Sequence, residues 1–407
     1  MFDRVKDVGH PEEDLLSVYR EHGVVKREGR EDNFNKAAPD RNIYQLVDPG
    51  WLVVNRMKAW QGSVGISPYR GIVSGHYICF RPRHQEEGRF LNWLLRSGLY
   101  ATEFASLSRG VRPGQVEIDN DLLRVLPVKL PTVDEQRRIA DFIDAETGRI
   151  DRLVEAQQRL SAKLTERRVA GVIAAVTGAS YPDQRASALA WSETLPNHWK
   201  EVRVGLLARM GSGHTPSRSH PEWWVDCNIP WITTGEVSQV RDDRREEITE
   251  TREKISEIGL ENSSAELCPA GTVVLCRTAS AGYSAVMGKD MATSQDFVTW
   301  NCGPRLDPYY LLWCLRAMRQ DLLGRLAMGS THKTIYVPDL QMLRIPLPGL
   351  EEQRQIVETI RAQNRTIDQL ADAVNHQLTL LAERRQALIT AAVTGQLDVT
   401  TARPTHD

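Results

Sequence analysis

No two of the six cysteines, Cys79, Cys227, Cys268, Cys276, Cys302 and Cys314, form a Cys-x-x-Cys pair, and no histidine stands near them at metal-ligand spacing. Neither a zinc site nor a disulfide framework is indicated, and the six are expected to be reduced packing residues. Also missing is any run of about 18 consecutive apolar residues, which a membrane span requires. The start, MFDRVKDVGHPEED, has neither the basic nor the apolar region of a secretory signal. A cytoplasmic protein without a membrane partner is expected. An excess of either charge is missing too: a net charge of −2 argues against a protein that coats nucleic acid indiscriminately. Totals hide patches, however. From Trp51 to Arg112 nine Arg or Lys face three acids.

Signatures of chemistry are equally absent. There is no His-Glu-x-x-His, and no nucleophile is flanked by an obvious base. GSGHTP at Gly211–Pro216 has proline where a dinucleotide-binding turn needs its third glycine, and it lacks the Gly-Lys-Ser/Thr of a phosphate loop, so it reads as a mobile loop. DPYY at Asp307–Tyr310 resembles the Asp/Asn-Pro-Pro-aromatic loop of amino-methyltransferases, but the second proline is missing. Asp307 and Pro308 are better read as the start of a helix, PYYLLWCLRAM. Glu246 and Glu247 lie in RDDRREEITETREK, which reads as a solvated helical face. No catalytic residue, metal ligand or cofactor is expected in this chain.

What the sequence does contain is a long repeat. LPTVDEQRRIADFIDAETGRIDRLVEAQQRLSAKLTERRVAGVIAAVTG from Leu130 aligns without a gap on LPGLEEQRQIVETIRAQNRTIDQLADAVNHQLTLLAERRQALITAAVTG from Leu347, at a constant offset of 217 residues (347 − 130). Apolar residues step by four and three: Ile139, Ile143, Ile150, Leu153, Leu160 and Leu164 in one copy, Ile356, Ile360, Ile367, Leu370, Val374 and Leu381 in the other. That is the seam of a coiled coil. Pro131 and Pro348 mark the starts, Thr132 and Glu135 form a capping box, and Gly178 and Gly395 mark the stops. Each helix runs about 45 residues, or roughly 65 Å at 1.5 Å per residue. Such a rod must bury its stripe, and the nearest partner is its own duplicate, antiparallel if a pseudo-dyad relates the copies. Two unrelated surface helices, each on its own block, are the alternative. Glu146 with Gln363 and Arg167 with Arg384 interrupt the seam at matching places, as register-setting polar residues do.

The blocks before the helices are richer in Trp, Gly, Pro and short strand-like runs. GWLVVNRMKAWQGSVGIS from Gly50 and GTVVLCRTASAGYSAVMG from Gly271 share a glycine, an apolar strand, an arginine (Arg56, Arg277) and a small polar loop. The expected fold is α+β: two small mixed α/β domains separated by two long antiparallel coiled-coil helices with pseudo-two-fold symmetry. The boundaries read 1–129 and 181–346 for the two mixed domains, 130–180 for a central helix, 347–397 for a distal helix and 398–407 for a disordered tail.

The chain is similar to the specificity subunit of a type I restriction-modification enzyme. The resemblance rests on the twice-written DEQR or EEQR, Ile-Asp, ERR and AAVTG helices, on Leu195, Pro196 and Trp199 in LPNHWKEVRVGLL, and on MGSGHTPSRSHPEWWVDCNIPWITTGEV. It implies that each block reads one half of a bipartite, asymmetric duplex DNA site, with the unread spacer set by the helices. It also implies two modification subunits on those helices, carrying S-adenosylmethionine, and a restriction subunit that translocates and cuts DNA with ATP and magnesium. None of that chemistry would reside in this polypeptide. A stand-alone DNA adenine methyltransferase and a coiled-coil scaffold without DNA contact are the competing functions. The first block begins at MFDRVKDVGHPEEDLL with no visible counterpart of the lead-in strand and GSGHTPS loop of the second, so it looks shortened at its amino end.

Affinity for a duplex comes mainly from Lys and Arg on phosphates, and sequence from groups that match base edges. In the first block the expected DNA contacts are Asn55, Arg56, Lys58, Gln61, Ser63, Ser74 and Arg109. In the second they are His214, Thr215, Ser217, Thr234, Arg277, Thr278, Ser280, Ser294, Gln295, His332 and Lys333. Asn and Gln suit adenine and Arg suits guanine. Trp60, Trp223, Trp224 and Trp231 are expected to be core.

Overall fold

The computed structural model describes residues 1–27, 40–110, 116–327 and 333–399. It divides into two compact units: Met1–Gln158 with Asn375–Asp407, and Arg159–Val374. The boundary runs through both long helices, Val133–Thr177 and Leu350–Val393, so each unit contains one segment of each.

The first unit is built on a four-stranded antiparallel sheet of β1 (Phe2–Val5), β2 (Leu52–Asn55), β3 (Val64–Ile66) and β4 (Tyr77–Pro82), in the order β1-β4-β2-β3. Alternate side chains serve opposite faces. Leu52, Val54, Ile78 and Phe80 pack on the helix Gly88–Arg96 through Phe90, Leu91, Leu94 and Leu95, and on Ile139, Ile143, Ile389 and Val393 of the long helices. Val53 and Cys79 face the other way, against Leu16, Val18, Val24 and Trp51.

The second unit repeats the plan. Its strands are β5 (Lys200–Arg203), β6 (Ala208–Ser212), β7 (Glu247–Ile248), β8 (Val273–Cys276), β9 (Ser284–Met287), β10 (Phe297–Cys302) and β11 (Arg344–Leu347). The sheet order is β6-β10-β8-β9-β7, with β5 paired to β11 beside it. Leu52 opposite Phe80 in the first unit corresponds to Val273 opposite Trp300 in the second. Val273, Leu275, Val298 and Trp300 pack on the helix Pro308–Ala317 and on Val172, Val176, Ile356 and Ile360. Asp307 caps that helix, accepting from the N–H of Tyr309 (2.9 Å) and Tyr310 (3.1 Å), so DPYY is a helix start as the sequence indicates.

β1 pairs with β4 as β6 pairs with β10, so both blocks carry a strand at this edge of the sheet. FDRV resembles ARMGS too little for sequence comparison to find it. The described residues of the first unit hold no equivalent of the β5–β11 pair: residues 127–130, which match 344–347, lie in no strand.

A buried glutamine fastens each long helix to its block. Gln136 and Gln353, one repeat apart, are both fully buried. The Gln353 Oε1 accepts from the N–H of Asp307 (2.9 Å), while its Nε2 donates to the carbonyls of Arg305 and Pro348 (3.0 Å each). The Gln136 Oε1 accepts from the N–H of Glu87 (3.0 Å), the residue that caps Gly88–Arg96, and its Nε2 donates to Pro131 O (2.9 Å) and to the Glu86 carboxylate. The helix stops also fall where expected, with Gly178 (φ +65) and Gly395 (φ +74) in the left-handed region that glycine tolerates.

The seam differs from expectation in its middle. Ile139, Ile143, Ile150, Leu164, Ile356, Ile360, Ile367 and Val374 are buried, but Leu153, Leu160 and Leu370 are about half exposed. The polar interruptions sit one residue later than expected, at Thr147 with Asn364 and at Arg168 with Arg385. In the first unit Arg385 pairs with Asp151 (3.4 Å); in the second, Arg168 pairs with Asp368. These are matching residues at the offset of 217, and within each unit the helix segments run antiparallel. A 3.6-residue turn drifts against a 3.5-residue pattern, and in ERR two adjacent arginines compete for one inward position.

The charged run RDDRREEITETREK is not a solvated helical face. In the second unit it forms a loop and strand packed on the helices, because Asp243, Arg244 and Glu246 find fixed partners. Asp243, at φ +58, takes both Nη groups of Arg319 (2.7 Å each). Arg316, whose side chain is 2% exposed, donates to the carbonyls of Asp243 (2.9 Å) and Arg245 (2.6 Å), and burial draws its pKa down to about 10. Glu246 accepts from Arg361 (2.6 Å) and Trp313 (2.8 Å), and Arg244 from the same run pairs with Asp372 (2.7 Å).

Gln353→Ala strands a buried N–H and two carbonyls, so it should cost about 1–3 kcal/mol. The check is the urea midpoint of the full chain followed by tryptophan fluorescence; a midpoint equal to wild type would show that the amide is dispensable.

Candidate nucleic-acid interface

In the first unit the chain leaves β2 at Asn55, whose Oδ1 accepts from the N–H of Met57 (3.1 Å) and Lys58 (3.2 Å). A short turn, Ala59–Gln61, and Gly62 at φ +86 then return it to Ser63, whose carbonyl accepts the Asn55 N–H at 3.0 Å. Asn55 thus spends its oxygen on shaping the loop. Six of the seven expected residues, Asn55, Arg56, Lys58, Gln61, Ser63 and Ser74, line one cavity of about 1630 Å³. Arg20, Arg27, Arg56 and Lys58 face it against Glu21 and Glu117, giving a local positive excess. Ser63 is buried, Lys58 and Gln61 are exposed, and Trp60 is half-buried at the wall rather than in the core. Arg109 is not part of the lining and lies 3.8 Å from Asp119.

Much of the basic excess between Trp51 and Arg112 is spent on structure. Arg70 pairs with Glu13 (2.7 Å) and Asp48 (2.5 Å), and Arg89 with Asp141 (2.9 Å) and Asp144 (3.1 Å). Arg96 lies over Trp93 and donates to Arg20 O (2.8 Å); burial, then the neighbouring Arg385, draws its pKa down to about 10. The groove therefore depends on a few cations.

The second unit carries the corresponding loop after β8. Arg277 N–H donates to Asp296 O and Arg277 O accepts from Ile335 N–H, both at 2.8 Å. In the first unit Arg56 N–H donates to His76 O (3.0 Å) and Arg56 O accepts from Ile118 N–H (3.1 Å). The two arginines are held by the same backbone frame. Ala279 sits at φ +54, a left-handed conformation that costs a non-glycine residue of order 1–3 kcal/mol. Strain of this kind clusters where a loop's shape matters.

Thr215, Arg277, Thr278, Ser294 and Gln295 come together. Arg277 Nε donates to Gln295 O (3.0 Å), Thr215 donates to the Gln295 side chain, and the Asp296 carboxylate accepts from Thr278 and Ser294 (3.3 Å). Ser294 is buried and Gln295 exposed, while Ser280 lies in the same loop as Arg277. Thr234 begins two residues past Ile232, whose carbonyl takes the Ser294 N–H at 3.0 Å. His214 N–H donates to Thr293 O (2.9 Å), and Ser217 bonds Ser219 (2.7 Å). Lys333 is exposed, 3.5 Å from Leu323 O, and His332 lies outside the described residues.

The GSGHTP segment read as a mobile loop is instead pressed on the sheet. Ser212 belongs to β6, and a Cβ at Gly213 would come within 2.1 Å of Thr293 O. Trp231 is buried as expected, whereas Trp223 and Trp224 are only half-buried, stacking on His220 (4.2 Å) and Arg218 (3.7 Å) respectively. Reading the sequence for donors overlooked Glu117 and Asp296, the acids that organise both loops. Asp296 had a signal, since it directly follows Ser294 and Gln295; Glu117 had none. Among the described residues no cluster of His, Cys, Asp and Glu could hold a metal ion, and no helix is long and apolar enough to cross a membrane.

Residues 196–380 match the family described as type I restriction modification DNA specificity domain. The MjaIX specificity subunit of Methanocaldococcus jannaschii is 25% identical over 189 residues, which is 44% of this chain and 43% of that protein. The chain spans about half the length of the curated relatives it matches. A chain from a solved structure concerning assembly and conformational transition of the type I R-M system is similar with a TM-score of 0.72 at 17% identity, covering 98% of each chain. The HsdS subunit from Thermoanaerobacter tengcongensis gives 0.55 at 18% identity, over 98% of this chain and 94% of that one. At such identities the likeness establishes the fold alone: an α+β chain with two mixed blocks and two long helices. Residues 196–380 are therefore similar to a type I restriction modification DNA specificity domain.

Proposed function

We propose that this chain is the DNA sequence-specificity subunit of a type I restriction-modification complex, reading a bipartite, asymmetric duplex site. The observation that carries this reading is the twice-built loop after β2 and β8, where Arg56 and Arg277 stand in one backbone frame amid different polar neighbours. Equal frames with unequal side chains suit two half-sites of unequal sequence. Lys58 and Arg20 supply phosphate contacts beside the first loop, and exposed Lys333 supplies one beside the second.

In this proposal the long helices carry two modification subunits and set the spacer, and a restriction subunit completes the complex. S-adenosylmethionine, ATP and magnesium belong to those partners. A stand-alone methyltransferase is disfavoured because the Asp307 carboxylate is engaged as a helix cap and Tyr310 is fully buried. A scaffold without DNA contact gives no account of the polar loops; duplex binding by the assembled complex that weakens linearly with log salt separates the two.

Arg277→Ala should relax or abolish one half-site while leaving assembly intact, as read by methylation mapping in cells carrying the complex. Equal methylation of the usual site would count against the proposal. Adding or deleting about four residues, one helical turn, in one long helix should change the spacer between half-sites, and an unchanged spacer would remove the helices' role as a ruler. The isolated chain should bind no radiolabelled S-adenosylmethionine; measurable binding would favour the methyltransferase reading.

A further inference from the structure

We propose that Arg56 and Arg277 each read a guanine, one in each half-site, and that Glu117 is a positioning residue that aims Arg56 at its base. The inference rests on the DNA-reading function proposed above and deepens it. Three observations carry it. First, both arginines have N–H and C=O fixed by backbone hydrogen bonds of 2.8–3.1 Å, so the direction in which each side chain leaves the sheet is set before DNA arrives. Second, among the described residues each guanidinium has one tether: Arg56 Nη2 donates to Glu117 Oε2 at 2.8 Å, and Arg277 Nε to the Gln295 carbonyl at 3.0 Å. A guanidinium has five donors in a rigid fork, so one such tether orients the group and leaves donors for a ligand. Third, Arg56 Nε is buried without an acceptor among the described residues, although Arg56 and Glu117 both face the cavity that holds Lys58 and Gln61.

Guanine is the base these donors fit. Its major-groove edge presents two acceptors, O6 and N7, at the spacing of an arginine fork, whereas adenine presents one acceptor beside a donor and cytosine a donor alone. Glu117 cannot serve the guanine itself, because a carboxylate offers only acceptors to an edge of acceptors. Its part is to fix the fork, since an arginine swinging freely about its side-chain torsions would contact phosphate and base alike. A lysine at the same position would keep the charge and the pairing with Glu117 but lose the planar fork.

The test is genome-wide methylation mapping with the full chain co-expressed with its modification subunits, comparing wild type with Arg56→Lys, Arg56→Ala, Arg277→Lys and Glu117→Gln. Both wild-type half-sites should contain a guanine. Arg56→Lys should lower the preference for one guanine in one half-site by roughly 5- to 150-fold, the range of a lost bidentate contact, with the other half-site unchanged. Arg277→Lys should do the same in the opposite half-site. Glu117→Gln should weaken the preference at the same position as Arg56→Lys and at no other. A half-site without guanine, a map for Arg56→Lys identical to wild type, or both half-sites altered by one substitution would overturn the assignment. So would loss of all methylation in Arg56→Lys as well as Arg56→Ala, which would make the arginine structural. If the wild-type complex methylates no bipartite motif at all, the DNA-reading function itself fails, a result separate from failure of the guanine assignment.

Discussion

The amide of Gln353, and of Gln136 in the other copy, is the constraint on which the rest is built. It sits fully buried where three things meet: the start of a long helix, the turn before it and the cap of the helix that supports the main sheet of the unit. A backbone N–H and two acceptors at that corner converge on one neutral side chain. No charged group could take the place without a desolvation penalty, and no apolar one could satisfy the backbone. Sheet, support helix and long helix are thereby fixed to each other within each unit, and the loop after the central strand inherits its position from them.

Ion pairs add register to this frame. Arg168 with Asp368 and Arg385 with Asp151 are the same pair written twice, each in its own unit, and Thr147 and Asn364 are buried at matching positions. Such residues contribute little net stability but penalise any slip of one helix against the other. The second unit goes further. Its Asp243–Glu246 loop inserts charges between Arg316, Arg319 and Arg361, and their mutual arrangement compensates burial that would otherwise be costly.

The sequence made the repeat, the helix stops at Gly178 and Gly395, the cap at Asp307 and the kinship of Arg56 with Arg277 legible. Each is a local signal, written in a few neighbouring residues and often written twice. What stayed hidden depends on contacts between distant segments. RDDRREEITETREK has the composition of a solvated helix, and only partners some seventy to one hundred and thirty residues away turn it into a packed loop. Which arginine of ERR faces inward is a matter of helical phase, too fine for a pattern that drifts between 3.5 and 3.6 residues per turn. β1 escaped notice because an edge strand needs only backbone pairing, which FDRV supplies without resembling ARMGS. Asn55 looked like a base reader because its amide could be one, yet its oxygen is already engaged two and three residues ahead.

Leu153, Leu160, Leu370 and Leu380 stand about half exposed along the long helices, beside residues that are buried. Water around such side chains favours any association that removes them from it. Kosmotropic salts, which strengthen apolar association, should therefore lower the solubility of the chain through these side chains.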